Sequence, residues 1–83
     1  SPPPRARGNR IDIVFLDPPY ASGYAADAVR RIFQEGILSP SGTVIVEHAS
    51  DQPPELGEGP WQVSRVKRYG ACGVTTLIWR ERE

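Results

Sequence analysis

The chain has very little of the chemistry from which disulfides and metal sites are built. Its 83 residues include one cysteine, Cys72, and one histidine, His48. A single cysteine cannot form an internal disulfide or a cysteine metal site, so we expect no metal and a reducing, cytoplasmic setting. The lone histidine follows an apolar strand pattern, and we expect it to be structural rather than catalytic.

Long apolar runs and an excess of charge are also missing. No segment approaches the roughly 18 apolar residues of a membrane-spanning helix, and no signal-peptide pattern occurs, so we expect no membrane partner. Ten basic and ten acidic residues cancel to a formal net charge of zero. No global field therefore draws the chain to nucleic acid, and any such affinity has to come from local groups.

A glycine-rich turn between a strand and a helix is absent as well. The chain has eight glycines, but they are scattered and form no such loop. In α/β folds such a loop is a common part of a nucleotide-cofactor site, so the sequence lacks that cofactor-binding feature.

The most informative segment that is present is an apolar strand that ends in an acidic turn. Residues Ile13–Leu16 are four consecutive apolar residues, a pattern typical of a strand covered on both faces. The strand, expected over Ile11–Leu16, is followed at once by Asp17, and the carboxyl ends of strands are where open α/β sheets bind ligands.

The turn itself reads Asp17-Pro18-Pro19-Tyr20. Each proline lacks an N–H and keeps the residue before it out of the helical region, so Asp17 and Pro18 should be extended and rigid. The Asp17 carboxylate and the Pro18 carbonyl then form a surface of hydrogen-bond acceptors. Such a surface can hold both hydrogens of a nucleobase amine, while Tyr20 offers a flat face for stacking.

The remaining chain predicts a single α/β unit. Apolar residues spaced three and four apart predict a helix that begins near Ser22 or Gly23 and ends at Gly36. A turn at residues 40–42 and a second buried strand over Thr43–Glu47 follow, parallel to the first because a helix connects them. Residues 51–60 predict a loop, and the strands Trp61–Tyr69 and Val74–Arg80 predict a hairpin closed by residues 70–73. The buried helix face should comprise Ala25, Ala28, Val29, Ile32 and Phe33.

Asp-Pro-Pro-Tyr after a hydrophobic strand resembles motif IV of the amino methyltransferases, which use S-adenosylmethionine. The order of the later segments, from Leu38 to Trp79, is similar to the carboxyl-terminal half of bacterial methyltransferases that modify guanine N2 in 16S ribosomal RNA. The resemblance implies an α/β fold, the carboxyl-terminal half of a Rossmann-like class I methyltransferase sheet with two parallel strands, a crossover helix and an antiparallel terminal hairpin. Residues 1–10 would be a linker and 11–83 the catalytic half, with the cofactor-binding half absent.

The resemblance also implies a sheet order. The last strand would insert antiparallel beside the second, with Trp61–Tyr69 at one edge and the strand ending in Asp17 at the other. A bare apolar edge strand tends to pair with other chains. We therefore expect the Asp17 strand to pair with the missing half or with a second copy of the chain.

Each candidate residue has a functional and a structural interpretation. We expect Asp17, Pro18, Pro19 and Tyr20 to form the catalytic segment, with Asp17 also touching the cofactor, although Asp17 could be only a turn residue. Tyr20, Tyr24 and Glu47 are expected to bind substrate. Tyr20 could instead pack on the helix, Tyr24 could fasten the loop, and a strand-end acid such as Glu47 is usually solvated. Tyr69 and Gly70 are expected to shape the hairpin.

The expected function is S-adenosylmethionine-dependent methylation of guanine N2 in 16S ribosomal RNA, with ribosomal RNA or an assembling small ribosomal subunit as partner. We expect a longer parent enzyme to carry this activity and the present chain alone to be inactive. The guanine would be flipped out, stacked on Tyr20 and held by Asp17 and the Pro18 carbonyl. Either Asp17 or water would accept the proton that is lost. Two alternatives stay open: methylation of adenine N6 in DNA or RNA, and an inactive half-domain that only mediates interactions.

Overall fold

The computed structural model describes residues 10–17 and 24–81. These form one four-stranded sheet of order β1-β2-β4-β3, in which β1 and β2 are parallel and the other neighbours are antiparallel. The predicted half-sheet with a crossover helix, a terminal hairpin and an inserted last strand is confirmed. The elements are β1 (Ile11–Leu16), α1 (Tyr24–Gln34), β2 (Leu38–Ala49), β3 (Trp61–Tyr69) and β4 (Cys72–Trp79).

Helix α1 is amphipathic and packs one apolar face on the sheet. The prediction of that face is correct at four of five positions; Ala28 is only half-buried, and Ala26 is buried instead. Gly36 has a φ of 70° and ends the helical segment in the left-handed conformation that glycine adopts without strain. The predicted start at Ser22 or Gly23 lies outside the described residues.

The core lies between α1 and one face of the sheet. Val29 of the helix belongs to the same core cluster as Val44 and Val46 of β2 and Leu77 of β4, and all four are fully buried. The ring of Phe33 makes edge contacts with two tryptophans, at centroid distances of 5.8 Å to Trp61 and 4.8 Å to Trp79. Side chains that point to this side therefore define the helix-covered face of the sheet.

The face of β1 that points away from the helix, which we call the open face, is more exposed than the sequence predicted. The four apolar residues predicted a strand covered on both sides, but Ile13 is 64% exposed and Phe15 is 58% exposed. Val14 and Leu16, which point to the helix, are half-buried against the core. Because α1 covers only one side, nothing in the described part of the chain covers the other side of β1.

Strand β2 is longer and less regular than predicted. Residues 40–42, expected to form a turn, lie within β2. Its pairing with β1 jumps from Ile11↔Leu38 to Ile13↔Thr43, so three extra β2 residues are absorbed as an irregularity in the ladder. Pro40 is tolerated there because such an irregularity removes the need for its missing N–H.

The terminal hairpin is tighter than predicted. Strand β3 has the expected bounds, but β4 begins at Cys72, so the turn contains only Gly70 and Ala71. Gly70 has a φ of 63°, which explains glycine there. Residues 51–60 form the predicted loop, from which Leu56 enters the core. In the described residues, no helix has the length and apolar character needed to cross a bilayer.

Candidate active-site rim

Two acidic residues lie side by side where the parallel strands end. Leu16, the last residue of β1, pairs with Val46 of β2, so the next residues, Asp17 and Glu47, are neighbours at the same edge of the sheet. Leu16 and Val46 point to the helix, and successive side chains of a strand alternate between its faces. The side chains of Asp17 and Glu47 therefore lie on the open face. We call Asp17, Glu47 and the adjoining Cys72 the carboxyl rim.

Cys72 is part of this rim because its side chain contacts Glu47 on the neighbouring strand. Its Sγ donates a hydrogen bond to Oε2 of Glu47 over 3.0 Å. This hydrogen bond, partial burial and the negative charges of Glu47 and Asp17, in that order, raise the pKa of the Cys72 thiol.

The place of Cys72 in this rim was not predicted from the sequence. A lone cysteine indicates neither a disulfide nor a metal site, because both need further cysteines or histidines. The signal that could have found it is the antiparallel register, in which Cys72 pairs with Ala49 and so lies diagonally opposite Glu47. That register depends on where β4 lies, and its predicted range, Val74–Arg80, began two residues late and ended one residue late.

The predicted site residues differ in how they are placed. Asp17 is exposed, and Glu47 is half-buried and accepts the hydrogen bond from the Cys72 thiol. Tyr24 opens α1 and is 61% exposed. Pro18, Pro19 and Tyr20 lie outside the described residues. The structure thus brings Asp17 and Glu47 together, while the catalytic, cofactor and substrate roles of all these residues stay predictions.

His48 is held on the helix-covered face, away from the open face. Its Nδ1–H donates to the Ala49 carbonyl over 2.7 Å, and its Nε2 lies 2.7 Å from the Thr75 hydroxyl, which donates to it when the ring is neutral. Gly73, the residue paired with His48, leaves room for the ring. These contacts agree with the structural role predicted for His48.

The carboxyl rim carries two carboxylates, whose negative charge complements a cation. Among the residues that the structure describes, no three His, Cys, Asp or Glu side chains cluster as metal ligands. A positively charged sulfonium is complemented by the carboxylates of Asp17 and Glu47, so the rim fits the sulfur end of S-adenosylmethionine by charge.

Comparison with known proteins extends these observations. Residues 3–78 match the family model for conserved hypothetical protein 95. A provisionally described methyltransferase from Escherichia coli has the same fold, with a TM-score of 0.73 and 22% identity over 88% of this chain and 41% of its own. A provisionally described methylase from Haemophilus influenzae has a TM-score of 0.71 and 27% sequence identity. The match covers 88% of this chain and 46% of the methylase.

A third solved structure, of a conserved hypothetical protein from Streptococcus pyogenes, gives a TM-score of 0.75 and 24% identity over 92% of this chain and 49% of its own. The chain thus spans less than half the length of each of these three solved proteins. No curated protein matches it.

Proposed function

The chain belongs to the conserved hypothetical protein 95 family, and we propose that it carries the amine-binding part of an S-adenosylmethionine-dependent methyltransferase. The observation that carries this proposal is the exposed carboxylate of Asp17 beside Glu47 at the carboxyl ends of the parallel strands. The proposed substrate is the exocyclic N2 of a guanine in 16S ribosomal RNA, met in the cytoplasm as RNA or as part of an assembling small ribosomal subunit.

The proposed chemistry needs an electrophile that the chain's own side chains do not provide. When bound, S-adenosylmethionine would supply a methyl group on a positively charged sulfur, which is the electrophile that the amine nitrogen needs and the leaving group that keeps the electron pair of the broken carbon–sulfur bond. Asp17 and Glu47 favour the cationic reactant by charge. Of the described residues, these two would contact the sulfonium end.

Asp17 has two proposed tasks at the amine. Its carboxylate accepts a hydrogen bond from the N2 amine, which orients the nitrogen, and it then accepts the proton that the nitrogen loses on methylation. The Pro18 carbonyl would accept the second amine hydrogen and Tyr20 would stack on the base, as the sequence predicts. Glu47 lies beside Asp17 and would contact the edge of the same base.

The test is methyl transfer from labelled S-adenosylmethionine to small-subunit ribosomal RNA by the full polypeptide. Replacement of Asp17 by Asn or Ala should lower kcat by about 100-fold or more, the usual contribution of a positioned general base. Asp51→Asn, in an exposed turn, is the matched control and should keep full activity. Activity of both Asp17 variants within a few fold of wild type would refute the proposed role.

The identity of the methylated base is a separate question with its own measurement. Mass analysis of the digested product should show N2-methylguanosine. N6-methyladenosine would favour the alternative substrate, because the same acceptors can hold an adenine amine. No methylated nucleoside at all, with folded protein and bound cofactor, would favour a non-catalytic interaction domain.

A further inference from the structure

The outer edge strand presents a row of side chains that the rim does not use. Beyond Trp61, every residue of β3 is exposed. Arg65, Lys67 and Tyr69 pair with the open-face residues of β4, so all three point to the open face. Successive members lie about 6.7 Å apart along the strand. We call Arg65, Lys67 and Tyr69 the basic row.

The row has the composition of a surface for polyanions. Strand β3 contains no acidic residue. The ion pairs of Arg30, Arg31 and Arg80 all lie outside β3. Tyr69 is 59% exposed, and the Nζ of Lys67 lies 5.9 Å from the centre of its ring. Exposed cations beside an exposed aromatic ring are typical of surfaces that bind single-stranded nucleic acid.

The basic row is continuous with the carboxyl rim. Tyr69 pairs with Cys72, and Cys72 donates its hydrogen bond to Glu47, which neighbours Asp17. This line crosses the sheet from β3 to β1 in three strand spacings, about 14 Å. A chain of two or three nucleotides can span that distance, so a base at the rim and its neighbours at the row can belong to one strand.

We propose that the basic row binds the single-stranded RNA that flanks the base held at the rim. Arg65 and Lys67 contact phosphates, and Tyr69 stacks on one unpaired base. This inference rests on the proposed function and adds the path of the substrate. Charged residues also protect edge strands from pairing with other chains, but that role requires neither an exposed ring nor continuity with the rim.

The test measures binding without cofactor, so that it does not depend on methyl transfer. Fluorescence anisotropy would follow a labelled 12-nucleotide single-stranded RNA titrated with the full polypeptide. Arg65→Gln and Lys67→Gln should each weaken binding and reduce the slope of log K against log salt by about 0.7, the value for one phosphate contact on a single strand. Tyr69→Leu should weaken binding by about 5- to 100-fold, and Tyr69→Phe should restore it.

The matched control is Arg68→Gln. Arg68 lies on the same exposed strand and carries the same charge, but it pairs with Gly73 and points to the other face. The Arg68→Gln variant should leave both the affinity for RNA and the slope of log K against log salt nearly unchanged. An equal loss in Arg68→Gln, no loss in the basic-row variants, or equally tight binding of duplex RNA would each overturn the inference.

The two proposals fail in different ways. The wild-type protein could methylate RNA while substitutions in the basic row leave the affinity for RNA unchanged. That result would refute the RNA-binding role of the basic row and leave the proposed function intact. Conversely, row-dependent binding in a protein that transfers no methyl group would refute the proposed function. Circular dichroism of each variant confirms that the fold is retained.

Discussion

The Sγ of Cys72 lies 3.0 Å from Oε2 of Glu47 and donates a hydrogen bond to it. The two residues are 25 positions apart in the sequence and meet because β4 runs antiparallel beside β2. Through this contact the first residue of β4 lies beside the two acidic residues of the carboxyl rim, Glu47 and Asp17. It links the hairpin to the proposed site through one side-chain pair.

The pKa of the Cys72 thiol should fall when Glu47 is replaced by Gln. The carboxylate accepts the thiol hydrogen and its charge opposes the thiolate, so its removal lets the thiolate form at lower pH. The pH profile of alkylation by iodoacetamide should move to lower pH, and Asp17→Asn should move it less. Glu55→Gln, in the exposed loop, is the control. An unchanged or higher thiol pKa in Glu47→Gln would contradict the contact.

The same contact predicts a pH dependence of stability. A thiol pKa that is higher in the folded than in the unfolded chain means that the folded state binds the proton more tightly. The stabilisation is therefore complete below the ordinary thiol pKa of about 8.5 and is lost as pH rises through the folded-state value. Urea unfolding at several alkaline pH values should show a steeper loss for wild type than for Cys72→Ser. Parallel curves would contradict this account.

Replacement of Gly73 by Ala should destabilise the sheet by about 1–3 kcal/mol, the usual cost of overpacking. A Cβ at this position would lie 2.6 Å from Cε1 of His48 and 3.2 Å from Cα of Ser50. Urea midpoints measure the loss. His48→Ala should remove part of the clash, so the double variant should be more stable than the sum of the two single losses predicts. Strict additivity would indicate that the ring is not the obstacle.

Gly36 should tolerate Asn better than Ala. Its φ of 70° places it in the left-handed region, where a residue with a Cβ costs about 1–2 kcal/mol and Asn is the side chain that adopts it most readily. Thermal unfolding of Gly36→Ala and Gly36→Asn provides the comparison. Equal Tm values for Ala, Asn and wild type would show that this backbone conformation is not retained.

The two faces of the sheet should differ sharply in their response to truncation. Leu77→Ala, in the fully buried core, should cost about 2–5 kcal/mol in the free energy of unfolding. Phe15→Ala removes a larger side chain that is 58% exposed, and it should cost less than about 1 kcal/mol, the span of strand propensities. A loss well above about 1 kcal/mol for Phe15→Ala would show that the open face of β1 is covered in solution.

Local patterns in the sequence were sufficient for several elements. The apolar run predicted β1 with its observed bounds, and the three- and four-residue spacing predicted most of the buried face of α1. Strand β3 was predicted with its observed bounds, and the resemblance implied the interior place of β4. These features depend on steric preferences and periodicity within a few residues, which the sequence expresses directly.

Only the tertiary structure decided the features that depend on pairing between distant segments. Pro40 indicated a turn, yet the ladder between β1 and β2 accommodates it as an irregularity, and the apolar run of β1 did not reveal that α1 covers only one of its faces. Asp17 and Glu47 could be singled out from their places at the ends of two parallel strands, but the nearness of Cys72 to them required the register of β4 on β2. Cross-strand register arises from the packing of the whole sheet, and no short window of the sequence contains it.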